Sequence, residues 1–227
     1  MRSSFRLASP AVLAVLALAL AAPTAAQVST LRPVDQGAED PSFLTFRGRL
    51  LAALAARDTT AVLAAFSPEA RLSFGDAAAG PEGVRQLWLG RDAPRGRQSL
   101  WVMLARVLGM GSTREAEGLF VSAPYLYAAW PEGIDPFTHG AVVGENVRVR
   151  GGPSRDGEPL TTLTYAVVPM RATLDANDRP TEWAQVTLGD GRTGYVSTEY
   201  LWSPLDYRAG FEKQGGSWRI VFFVAGD

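Results

Sequence analysis

Between Val142 and Trp202 the chain alternates apolar and polar residues in short runs, each cut by glycine, proline or aspartate. Val147 and Val149 lie two apart before a break at Gly151-Gly152-Pro153-Ser154. Alternation returns at Val186 and Leu188, turns at Gly189-Asp190-Gly191, and resumes at Tyr195 and Val196. A period of two buries one face of a strand, and runs this short between turns this frequent predict a small, strongly bent barrel. Gly144, Gly151, Gly152, Gly191 and Gly194 read as barrel corners, since none opens a helix in a phosphate-binding spacing.

Two motifs in this stretch stand out: Asn146-Val147-Arg148-Val149-Arg150 running into Gly152-Pro153-Ser154, and Trp183, Val186, Leu188, Asp190-Gly191 and Gly194-Tyr195-Val196. On these residues the segment from about 138 to 202 resembles the bacterial SH3 (SH3b) domain. The resemblance implies an SH3-like small β-barrel acting as a binding module at the cell envelope. It implies peptidoglycan, its stem peptides or an envelope protein as the partner. The aromatic side chains are the candidates for such recognition, because each joins an apolar body to a polar tip. Trp183 and Tyr195 are expected to fill much of the barrel's small core. Tyr165, Tyr195, Tyr200 and Trp202 are the candidate ligand-binding residues, with Tyr200 and Trp202 foremost. Arg171 to Thr181 departs from the family by lengthening a loop between two middle strands, where it would reshape or cover a groove.

Ahead of the barrel, residues 1–26 have the marks of a signal peptide: Arg2 and Arg6, an apolar run from Pro10 to Ala22, and small residues up to Ala26. The apolar run is short for a membrane span, and no other stretch is long and apolar enough. Export to the periplasm or the medium, without membrane insertion after cleavage, is the expectation. With Arg2 and Arg6 removed, 20 of the 22 basic residues remain against 23 acidic ones, which gives no basic field for nucleic acid. The chain has no cysteine, which excludes disulfides and thiol catalysis.

Residues 27–40 read as a disordered leader. From Pro41, Phe43, Phe46, Leu50, Leu51 and Leu54 recur at helical spacing. Asp58 caps a second short helix over Thr59 to Phe66, and Ala70 to Gly75 fits a strand. Pro81 opens another helical piece, and Gln98 to Leu108 predicts a further helix. Leu119 to Trp130 reads as an edge strand or extended loop. After the barrel comes a hairpin, Tyr207 to Glu212 and Trp218 to Val224, whose last strand is apolar enough to be covered on both faces. An isolated hairpin is marginal in water, so this one needs the N-terminal helices as partners. The expected fold is α+β: a helical, antiparallel-sheet domain over 41–137 plus 205–227, with the barrel of 138–204 inserted. The patterns around Phe46 to Ala70 and Phe211 to Ile220 also resemble the two ends of an NTF2-like domain.

His139 is the only histidine and sits at the junction before the barrel, where a loop or hinge role outweighs catalysis. A zinc site would need several Cys and His ligands, so no metal or cofactor is expected. Asp76 with Glu82, and Glu132 with Asp135, could in principle work as a glycosidase pair, but no such motif surrounds them. Asp175 to Asp178 lacks the glycine and closing glutamate of an EF-hand loop and reads as a surface turn. The expected function is therefore an exported, non-catalytic protein that recognises peptidoglycan or an envelope protein. The alternatives are an NTF2-like small-molecule or enzymatic pocket with the barrel as a targeting module, and a regulatory partner of an envelope hydrolase.

Overall fold

The structure, a computed structural model, describes residues 29–115 and 117–226. The expected signal peptide lies outside these residues.

Helix α1 (Pro41–Ala56) starts where Asp40 accepts the backbone N–H groups of Ser42 and Phe43, with proline in its first turn. It ends at Arg57, held in the left-handed region at φ 54°. Asp58 then accepts the Ala61 N–H and opens α2 (Thr59–Ala65). Strand β1 (Phe66–Arg71) follows with no intervening loop. The strand expected at Ala70 to Gly75 therefore begins four residues earlier, and Pro68 lies within it. Proline is tolerated there because β1 is an edge strand. Helix α3 (Gly80–Val84) runs into a π-helical turn at Arg85–Leu89, and α4 spans Leu100–Gly109.

Five strands form the first sheet: β1, the two-residue β2 (Thr113–Arg114), β3 (Phe120–Ala123), and the C-terminal pair β11 (Arg208–Gln214) and β12 (Ser217–Val224). Their order is β1-β12-β11-β3-β2, so the last two strands lie between the N-terminal ones. Pairing is antiparallel except at β1 and β12, which run parallel. This corrects the purely antiparallel expectation. Nearly 150 residues separate the two strands, so no tight turn dictates their relative direction.

One face of this sheet carries Val121, Ala209, Phe211 and Ile220, all buried under α1 and α4. Phe43 of α1 meets Phe211 edge-on at 5.3 Å and Trp218 at 5.1 Å. The opposite face carries Phe120 and Phe222, 6.2 Å apart and both partly exposed. Coverage of β12 on both faces is thus incomplete: Ile220 and Phe223 are fully buried, whereas Val221 and Phe222 are not.

The second sheet holds seven strands in the order β10-β4-β7-β8-β9-β5-β6. They are β4 (His139–Val142), β5 (Val147–Arg150), β6 (Pro159–Leu163), β7 (Val167–Leu174), β8 (Pro180–Thr187), β9 (Thr193–Ser197) and β10 (Leu201–Trp202). Its own core is mainly small and β-branched: Val142, Val147, Val149, Val168, Val186 and Val196. At Gly194, where β9 crosses β5, an added Cβ would meet the Val149 side chain and come within 3.1 Å of the Arg150 carbonyl oxygen. Only glycine lets the two strands approach this closely.

The two parts share buried residues. Ala141, Val167 and Trp202 belong to the same cluster as Phe43, Leu104 and Phe211. The segment expected to be a disordered leader joins them too. Val167 N–H donates to Ser29 O and Leu31 N–H to Tyr165 O, both at 2.7 Å, and Leu31 is only 8% exposed. Backbone pairing along the barrel edge and one buried leucine offset the entropy of ordering this polar stretch.

Candidate binding groove on the barrel

A groove of about 410 Å³ crosses the barrel surface between the β4–β5 turn, β5, β8 and the β9–β10 turn. Trp183 and Tyr200 supply its aromatic surfaces, and Glu145, Arg148, Arg155 and Glu199 bring charge to it. Trp183 stands opposite Ser197 in the β8–β9 ladder, and its carbonyl accepts the Thr173 hydroxyl at 2.6 Å. Tyr200 is fixed through its backbone: its N–H donates to Ser197 O and its carbonyl accepts the Val143 N–H, each at 2.9 Å. Its side chain stays 45% exposed.

The charges are unevenly committed. Arg150 donates to the Gly157 carbonyl at 2.8 Å and holds the Gly-Pro-Ser turn. Glu199 faces Arg97, from the segment before α4, at 3.4 Å. Arg148, Arg155 and Glu145 have no ion-pair partner among the described residues. Two free guanidinium groups beside two aromatic surfaces suit a ligand that combines carboxylates with flat or apolar faces.

The four aromatic candidates from the sequence do not converge. Tyr200 lies in the groove. Trp202 is 4% exposed and packs in the shared core, so it is not a surface residue. As the last residue of β10, paired with Ala141, it is turned toward the helices. Tyr165 sits at φ 51° beside the N-terminal segment and is not among the groove-lining residues. It is close enough to Tyr125 to act, after burial, as a second cause pushing that hydroxyl up to about 12. Tyr195 is half-buried, its hydroxyl accepts from Gln185 Nε2 at 3.4 Å, and it is not among the groove-lining residues. Trp183, expected in the core, is the groove residue the sequence misassigned. Its place in β8, with neighbours Ala184 and Val186 buried and the tryptophan only partly so, is the alternation that could have revealed it.

The lengthened Arg171–Thr181 stretch does not cover the groove. It extends strands β7 and β8 around a tight turn in which Asp175 accepts the N–H groups of Asn177 and Arg179. Ala172, Pro180 and Thr181 instead border a separate cleft against α4. His139 opens β4, and its Nδ1 lies 2.9 Å from the Thr138 hydroxyl. No group of three or more His, Cys, Asp or Glu suited to a metal occurs among the described residues.

Residues 145–201 match the family model of the bacterial SH3 domain. That span holds every groove residue and is a quarter of the chain. No curated protein matches the sequence. Among solved structures the chain is similar to an NTF2-like protein of unknown function from Pseudomonas putida. The two are 12% identical over 84% of this chain and 87% of that one, with a TM-score of 0.30. It is also similar to a protein from Xanthomonas campestris described as a calcium/calmodulin dependent protein kinase II association domain. Here identity is 12% over 87% of this chain and 96% of that one, with a TM-score of 0.27. Likenesses this distant carry no argument about what the flanking domain does. No helix among the described residues is long and apolar enough to cross a membrane.

Proposed function

We propose that this is an exported, non-catalytic binding protein whose bacterial SH3 barrel recognises peptidoglycan through the Trp183–Tyr200 groove. The observation that carries this reading is the meeting of two accessible aromatic surfaces with two unpaired arginines in one groove. Peptidoglycan combines sugar rings, which stack on aromatic faces, with stem-peptide carboxylates, which pair with guanidinium groups. The α+β part, completed by the C-terminal hairpin, carries the barrel and fixes one rim of the groove through Arg97 and Arg106, which reach Glu199.

The test is a pull-down of the mature protein with purified peptidoglycan. Wild type should sediment with the polymer, and the bound fraction should fall as salt rises. Tyr200→Ala should weaken binding about two- to tenfold, as expected for loss of an aromatic contact. Arg148→Ala combined with Arg155→Ala should weaken it further and flatten the salt dependence. A wild type that stays in the supernatant at low salt would refute the wall-binding reading, and the envelope-protein alternative would then stand in its place.

A further inference from the structure

We propose that the cleft at the seam between barrel and helices is a second binding site, for a neutral, carbonyl-bearing ligand about one or two amino-acid residues in size. The cleft measures about 330 Å³, at the small end of ligand pockets. Met103 of α4, Met170, Trp183, Leu201 and Trp202 of the barrel, and Asp206 are among its lining. Trp202 is buried, yet its Nε1–H has no hydrogen-bond partner among the described residues. Buried indole N–H groups are normally satisfied, so an orphaned donor on a side chain that lines a cleft points to an acceptor brought from outside.

The charge at the site selects a neutral acceptor. Arg106 stacks over the Trp202 ring at 4.4 Å, and its guanidinium already donates to the carbonyls of Thr198 and Glu199. Burial draws its pKa below the ordinary value, while the charges of Asp206 and Glu199 pull it back up. Asp206 in turn accepts the Ser203 N–H at 2.7 Å. The cation and the carboxylate face the same space and offset each other, and the indole N–H adds a donor that has no partner of its own. A carbonyl oxygen meets that need without bringing a charge. The two methionines and Leu201 offer an adaptable apolar wall to a small aliphatic side chain beside it. This site does not rest on the groove reading, because Trp183 alone lines both.

N-acetyl-alanine methylamide is a suitable neutral probe, and N-acetyl-alanine its carboxylate counterpart. Each is titrated into the low millimolar range while the indole N–H resonance of Trp202 is followed, assigned by its absence in Trp202→Phe. The neutral probe should shift that resonance downfield and saturate, and the carboxylate should bind more weakly. Trp202→Phe should weaken the neutral probe about tenfold, read on the Met103 methyl resonance. Its melting temperature should fall modestly, because the smaller ring leaves part of the indole's buried volume empty, so the variant's fold is checked by its spectrum before the titration. Ala172→Trp, at an exposed position on the cleft rim, should block the shift without touching the core. The proposal fails if neither probe moves the Trp202 resonance, or if the carboxylate binds more tightly. It fails equally if a folded Trp202→Phe binds the neutral probe as tightly as wild type.

Discussion

Replacing Phe211 with alanine asks whether the C-terminal hairpin and the N-terminal helices form one folding unit, the arrangement that would hold the barrel in place. Phe211 lies in β11, fully buried, with its ring edge-on to Phe43 at 5.3 Å and to Phe46 at 6.0 Å. Truncating a buried phenylalanine costs about 3–5 kcal/mol, the transfer term plus the cavity left behind. Both aromatic partners belong to α1 and are lost together, so the upper half of that range is expected. For a chain of this length each kcal/mol lowers the melting temperature by about 2–4 °C, which places Phe211→Ala about 8–20 °C below wild type. The assay is thermal unfolding joined to native-state hydrogen exchange. Val121 and Ala123 of β3, which pair with β11, should lose protection in step with the global loss. Val149 of β5, in the barrel's own core, should lose less. A melting temperature within 2 °C of wild type, with β3 protection intact, would refute the shared unit and reduce the hairpin to an appendage.

Three further substitutions test local arguments. Arg47, by its hydrogen bonds, and then Ser112 hold the Asp35 carboxyl below its ordinary value of 3.8, against partial burial that raises it. A carboxyl depressed in the folded state contributes stability above its unfolded pKa and loses it as pH falls through the lower folded value. Wild type should therefore lose stability from about pH 4 downward, and Asp35→Asn should lack that step in denaturant titrations run between pH 5 and pH 2. Gly194→Ala should destabilise the protein by about 1–3 kcal/mol through overpacking between β9 and β5, whereas Gly152→Ala, with open space around its added Cβ, should be nearly neutral. Equal denaturation midpoints for the two glycine variants would remove the close-approach account of the barrel.

The barrel was legible because its information is local. Alternation at Val147 and Val149, and at Val186 and Leu188, states which face is buried, and the Gly-Asp-Gly turn states where the chain reverses. The helices were legible from Asp40 and Asp58, whose side chains cap them as read. What escaped depended on partners far along the chain. Nothing near Phe66 announces a parallel neighbour at Ile220, and nothing near Leu31 announces that Tyr165 will accept its N–H. A polar segment reads as disordered until the surface that orders it is known.

The aromatic residues show the same limit at the site. Composition told which side chains could bind, but exposure is decided by what the barrel rests on. Tyr200 and Trp202 are two residues apart and looked equivalent in sequence. The strand that separates them sends Tyr200 to the groove rim and places Trp202 under the Arg106 guanidinium of α4. The helix that hides Trp202 also reaches the groove, because the same Arg106 donates to the backbone at Thr198 and Glu199, two positions before Tyr200 and one before it. Groove and seam are therefore joined through a single short turn, and its geometry is set jointly by the barrel and by the domain that carries it. A barrel excised at residues 138–204 would keep its valine core and lose the fixed position of that turn. On the proposed reading its affinity for peptidoglycan should accordingly fall below that of the full chain even where the fold survives, and equal affinity would show that the flanking domain contributes nothing to recognition.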